Sequence, residues 1–120
     1  MWQVSANDSR INLAGSIGHA IELSFKSYLR AKGATLDCLK GIGHDLILGL
    51  DWAHTAGLVD VIKLTEHDRA LVLLLNGYYK AKEFEYRVTG TKKYPHASDL
   101  INFLERILVA IEPVCVKSAL

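Results

Sequence analysis

Ile17-Gly18-His19-Ala20-Ile21-Glu22-Leu23-Ser24-Phe25-Lys26-Ser27-Tyr28 is the stretch that decides the fold. Together with Ile11 and Ala14, its apolar residues Ile17, Ile21, Phe25 and Tyr28 recur in steps of three and four, which return a helix to one face. The pattern predicts a long helix from about Ser9 to Lys32, stopped by Gly33. The same stretch carries a second stripe, His19, Glu22 and Lys26, continuing to Arg30. Polar groups on a stripe beside a core either face water or meet partners.

Downstream, a short helical turn is expected through Leu36 and Leu39, after which Gly41 and Gly43 break the chain. A second main helix is expected to begin near His44, with Leu46, Ile47, Leu50, Ala53 and His54 at helical spacing and Gly57 closing it. Thr65 reads as the N-cap of a third helix, with Glu66 and Asp68 in the first turn, where the helix dipole favours acids. Leu71, Leu74, Tyr78 and Ala81 mark its expected buried face. Glu83 to His96 loses helical periodicity and reads as an extended loop with room for a short hairpin. The last helix is expected from about Ser98 to Glu112, with Leu100, Ile101, Leu104, Ile107, Leu108 and Ile111 inward and Pro113 ending it. The fold class implied is all-α, an antiparallel up-and-down bundle of four or five helices forming one domain over residues 1–120.

Composition agrees with that reading. The chain has 120 residues, half of them hydrophobic, and a formal net charge of +1. A chain of this length buries roughly two-thirds of its unfolded surface, so it needs no metal or disulfide staple. Near-neutral charge excludes a broad nucleic-acid footprint but not a local one. Cys38 and Cys115 read as reduced thiols. The polar residues Gln3, Ser5, Asn7, Asp8 and Ser9 near Met1 read against a signal peptide, and no apolar run is long enough for a bilayer, so a cytoplasmic protein is expected.

The second polar cluster is Gly41-Ile42-Gly43-His44-Asp45-Leu46. Asp45 is explained as a helix cap. His44, at the positive end of a helix, is disposed to be neutral, and a neutral imidazole accepts a proton in general-base chemistry. His44 is therefore the candidate catalytic residue, set against the plainer reading of a histidine with no catalytic part. Glu22 and Lys26 read either as a solvated i, i+4 ion pair or as a unit in which Glu22 reaches across to orient His44. His19 and Glu22 reverse the Glu-x-x-His order of carboxylate-bridged metal bundles and have no second copy, so no metal is expected. No phosphate-loop glycine pattern or nucleophile elbow is present. Between Tyr78 and Tyr94, five cations face two acids and four of the five tyrosines are interleaved with them. That mixture suits phosphate contact and base stacking, and equally suits anchoring and solubilising a long loop.

Taken together, His19 to Lys26, Tyr28-Leu29-Arg30-Ala31-Lys32-Gly33, Gly43-His44-Asp45-Leu46 and Leu75-Asn76-Gly77-Tyr78-Tyr79 resemble the HEPN family of nucleotide-binding helical domains. The resemblance spans about Ile17 to Tyr94. It implies a four- or five-helix up-and-down bundle, usually a homodimer. Many members resemble toxins of toxin–antitoxin systems, acting as metal-independent RNases or pairing with a small nucleotidyltransferase. The RNase members carry an Arg, four to six residues, then a His. Here Arg10–His19 and Arg87–His96 are each separated by eight residues, so no pair fits the signature.

The expectation is thus a binding module without a cofactor. Its polar groove comprises Glu22, Lys26, His44 and Asp45, with Tyr86 and Arg87 as a rim, and takes a nucleotide, RNA or a protein partner. One alternative is a divergent metal-independent endoribonuclease with His44 as base and Arg87 or Lys26 on the phosphate. Another is a structural dimeric subunit without a ligand. The exposed side of the last helix, including Phe103 and Val109, is the expected dimer face.

Overall fold

The computed structural model of the chain describes residues 6–80 and 97–119, with side chains described over 15–77 and 98–119. Five α-helices are found among them: α1 (Ala6–Ala31), α2 (Leu36–Ile42), α3 (Leu46–Thr55), α4 (Glu66–Lys80) and α5 (Ala97–Ala119). A 3₁₀ turn, Leu58–Asp60, follows α3, and no strand occurs among the described residues. The helices form a bundle in which α1 touches all four others and packs most extensively on α5. No helix of the described residues is long and apolar enough to cross a membrane.

The apolar stripe of α1 is what places it in the middle. Ile17, Ile21, Phe25 and Tyr28 are all buried, joined by Leu29. Withdrawing side chains of this size from water stabilises the fold by about 1.5–3 kcal/mol each. The helix ends as its glycine predicts: the Ala34 N–H donates back to the Leu29 carbonyl at 2.9 Å, across Gly33. Tyr28 then ties α1 to the end of α3 by donating its hydroxyl to the Ala56 carbonyl at 3.4 Å. Burial, followed by the nearby Asp60 charge, raises the pKa of that phenol.

Helix α3 lies close on α1 because Gly49 has no side chain. A Cβ there would sit 3.3 Å from Phe25 Cδ2. Helices α3 and α4 run antiparallel, since a later residue of α3 meets an earlier residue of α4 in their two cross-links. The Leu46 N–H donates to Asn76 Oδ1 at 2.9 Å, while Asp51 Oδ1 meets an Arg69 guanidinium nitrogen at 3.1 Å.

Several expectations are corrected. Gly41 lies inside α2, and α3 starts at Leu46 rather than His44. On α4 the core takes Leu71, Val72 and Leu75, whereas Leu74 is exposed. On α5 the core takes Leu100, Phe103, Ile107 and Ile111, and Ile101 and Leu108 face outward. Phe103 is 1% exposed and cannot belong to a dimer face, while Val109 is 72% exposed. Pro113 does not end α5, which continues to Ala119. A proline inside a helix costs about 3 kcal/mol. The helix resumes because Val114 and Cys115 pack against the core beyond it. The loop expected over Glu83–His96 lies outside the described residues, as do Tyr86, Arg87, Ala81 and the side chain of Tyr78. His54 and His67 are exposed. Cys38 and Cys115 are free, partly buried thiols.

The expected cap at Thr65 is present and is part of a larger lock. Thr65 Oγ1 accepts from the Asp68 N–H at 3.1 Å, and Asp68 Oδ2 accepts from the Thr65 N–H at 3.0 Å. This is a capping box with Asp in place of Glu. Asp68 is only 1% exposed, and its carboxylate also receives Arg106 of α5 on both oxygens. Burial alone pushes the carboxyl pKa up, but the bonds from Arg106 and Thr65 outweigh it and hold the group below the usual carboxylate range.

Because the folded pKa is depressed, this stabilisation is fully present above the unfolded aspartate value of about 4. It is lost as pH falls through the lower folded value. In urea titrations at a series of pH values, wild type should lose stability on acidification more steeply than Asp68→Asn, whose curve lacks this component. For the two faces of α5, Phe103→Ala should cost about 3–5 kcal/mol. In the monomer, where its side chain faces water, Val109→Ala should stay within about 0.5 kcal/mol. Urea midpoints of the two variants check the pair.

Candidate functional site

Where the polar stripe of α1 meets the start of α3, one carboxylate gathers the candidate residues. The Glu22 side chain is 7% exposed. Its Oε2 accepts from Lys26 Nζ at 2.9 Å, one helical turn on. Its Oε1 lies 2.9 Å from His44 Nδ1, across a gap of 22 positions in sequence. His19 Nδ1 stands 4.0 Å from the same Oε1, within electrostatic reach but too far for a hydrogen bond. Arg30 turns away from this cluster and donates to the Ala34 carbonyl at 2.9 Å. The stripe therefore contributes its first three members to the site and its last to the cap of α1.

His44 owes its place to backbone geometry. Gly43 adopts φ 61° and ψ −132°, and the Asp45 N–H donates to the Ile42 carbonyl at 3.3 Å. Those angles match the first central position of a type II′ turn, which calls for glycine. His44 occupies the second central position, directly before the cap of α3. Its side chain is 74% exposed, so packing does little to hold it.

An ionised carboxylate can only accept, so the imidazole donates from Nδ1. In the neutral ring the lone pair is then on Nε2, at the other edge. A carboxylate that fixes the histidine tautomer in this way is the arrangement general-base chemistry uses. It is equally the arrangement of a hydrogen-bond acceptor for a ligand.

Asp45 is the N-cap of α3. Its Oδ1 accepts from the N–H groups of Ile47 and Leu48 at 3.1 Å each, and from Asn76 Nδ2 at 3.2 Å. The structure thus gives Asp45 the capping role that its sequence position suggested. Asn76 was not picked out for any role by its spacing. Its marks in the sequence are an amide that ends the apolar run Leu71–Leu75 before Gly77, and its place in one of the stretches that carry the HEPN resemblance. Among the described residues, no three His, Cys, Asp or Glu side chains are grouped to hold a metal ion.

A concavity lies elsewhere on the surface. It is a shallow groove of about 590 Å³ between residues 61–63 and α5, lined by Val61, Ile62, Lys63, Glu105, Arg106 and Val109 among others. It includes none of the residues around Glu22. Its guanidinium is engaged by Asp68, as Lys26 is by Glu22, and no imidazole lines it.

Gly43→Ala tests how far the turn places His44. A Cβ at Gly43 would meet only the Lys40 carbonyl, at 3.9 Å, so the strain is conformational rather than steric. The expected loss is about 1–3 kcal/mol of stability. The His44 imidazole resonances should also shift as the turn relaxes, seen by urea titration and NMR of the same sample.

Compared with protein-family models, with curated proteins and with solved structures, the chain matches none.

Proposed function

We propose that this chain is a HEPN-like, up-and-down helical bundle that works as a homodimeric binding module for a nucleotide or RNA. Glu22, Lys26 and His44 form its binding site. One observation carries the reading. A nearly buried carboxylate on α1 collects an ammonium and an exposed imidazole from two separate elements of the chain. Lys26 offers a cation and His44 a polar ring edge at the same border of the core, which is chemistry suited to a phosphate and its neighbouring hydroxyl. Asp45 supports the site by capping α3, while the other two expected ligand-binding residues, Tyr86 and Arg87, lie outside the described residues. The HEPN resemblance supplies the class of ligand and one protein partner, a nucleotidyltransferase-type subunit in a toxin–antitoxin setting. The dimer face is the exposed side of α5, where Ile101, Leu108, Val109 and Val116 flank Glu105 and Glu112.

The Glu22–His44 pair also favours a second reading, a metal-independent endoribonuclease. Nε2 of His44 would take the proton of an attacking 2′-hydroxyl while Lys26 stabilises the phosphorane charge. The absence of an Arg-x4–6-His pair places this second.

Fluorescence anisotropy with labelled RNA and with nucleotides, in EDTA, separates these readings. Binding should fall about tenfold or more in Lys26→Ala, the worth of one charge-assisted hydrogen bond. It should also fall in His44→Ala. RNA cleavage that vanishes in His44→Ala would instead establish the nuclease. Wild type that neither binds nor cleaves would mark the chain as a structural subunit, in which buried polar groups only fix the packing. In light scattering, Val109→Glu should convert a dimer to monomer; a wild-type monomer at micromolar concentration would remove the dimer from the proposal.

A further inference from the structure

Asn76, on α4, commits both ends of its amide to the turn that carries His44. Oδ1 accepts from the Leu46 backbone N–H at 2.9 Å, and Nδ2 donates to Asp45 Oδ1 at 3.2 Å. The orientation of the amide follows from its partners, since a backbone N–H only donates and a carboxylate only accepts. The first helical residue of α3 and its cap are thereby both fastened to α4. On the other side of His44, Gly43 holds the backbone in the type II′ geometry. His44 is therefore bracketed, with a turn before it and an anchored cap after it.

That bracket matters because the ring itself is exposed and its partner lies on a third element. Glu22 belongs to α1, His44 to the turn before α3, and Asn76 to α4. The 2.9 Å contact between Nδ1 and Glu22 Oε1 depends on all three keeping register. If α3 slides along α4, Asp45 moves with it and His44 leaves Glu22.

We propose that Asn76 is the positioning residue of this site. It holds the α3 N-terminus against α4 so that Glu22 keeps the neutral His44 ring in the Nδ1–H tautomer. The inference rests on the reading of Glu22, Lys26 and His44 as the binding site, and adds the residue that sets the geometry of that site.

The test is the tautomer of the neutral His44 ring, read by long-range proton–nitrogen NMR on the whole chain. Wild type should show a predominantly Nδ1–H imidazole. Asn76→Ala should give a mixture of the two tautomers. Asn76→Asp keeps an acceptor for the Leu46 N–H but sets a carboxylate against Asp45, and should move His44 in the same sense. It serves as the readout if the alanine variant does not fold. Arg106→Ala destabilises the bundle away from the site and should leave the His44 tautomer as in wild type. An unchanged His44 in the folded Asn76 variants would overturn the proposal, as would an equal change in Arg106→Ala. Titration with inorganic phosphate is read separately. If phosphate leaves the wild-type His44 and Lys26 signals unmoved while Asn76→Ala still alters the tautomer, the phosphate-binding reading fails and the positioning role stands.

Discussion

A carboxylate withdrawn from water must find compensation, and Glu22 makes that demand in the middle of the central helix. It follows Ile21 in sequence and shares α1 with Phe25 and Tyr28, all buried. An uncompensated charge at such a position would cost several kcal/mol. Lys26 answers one oxygen from the next turn of the same helix. The other oxygen is answered from the turn between α2 and α3. The placement of His44, the type II′ geometry at Gly43, the cap at Asp45 and the amide of Asn76 all bear on whether that second partner arrives.

Asp68 is a useful contrast. It too is a buried carboxylate, and it is more fully enclosed than Glu22. Its partners are a guanidinium that meets both oxygens and the N-cap residue of its own helix. Arginine is always charged and its fork is fixed, so this cluster has one stable state over the ordinary pH range. Glu22 instead meets an ammonium and an imidazole, and the imidazole stands largely in water. The Asp68 cluster is built as a tie between α4 and α5. The Glu22 cluster keeps an imidazole at the surface, and that difference in partner chemistry is what makes it the candidate site.

Much of this architecture was legible along the chain. The threes and fours of α1, its stop at Gly33, the short α2, the cap at Thr65 and the cap at Asp45 depend on neighbours within a turn of each other. The grouping of His19, Glu22 and Lys26 was legible for the same reason. The inner faces of α4 and α5 were read less well. A periodic pattern with apolar residues at Leu71, Val72, Leu73, Leu74 and Leu75 fits more than one face, and only the packing of α1 and α3 chose Val72 over Leu74. Phe103 and Pro113 were misjudged on the same grounds. The direction of a helix face and the value of continuing past a proline depend on what lies opposite.

By itself, then, the sequence determined the helices, their caps and the local polar stripe, because hydrogen bonding and side-chain spacing within an α-helix are local. It also flagged Glu22 and His44 as members of one cluster. Only the tertiary structure decided that Glu22 is buried, that His44 reaches it through Nδ1, and that Asn76 fastens the intervening turn. Those contacts join residues 22, 30 and 31 positions apart. They exist because Gly49 lets α3 lie close on α1 and because α4 runs back along α3, neither of which is encoded within any one helix.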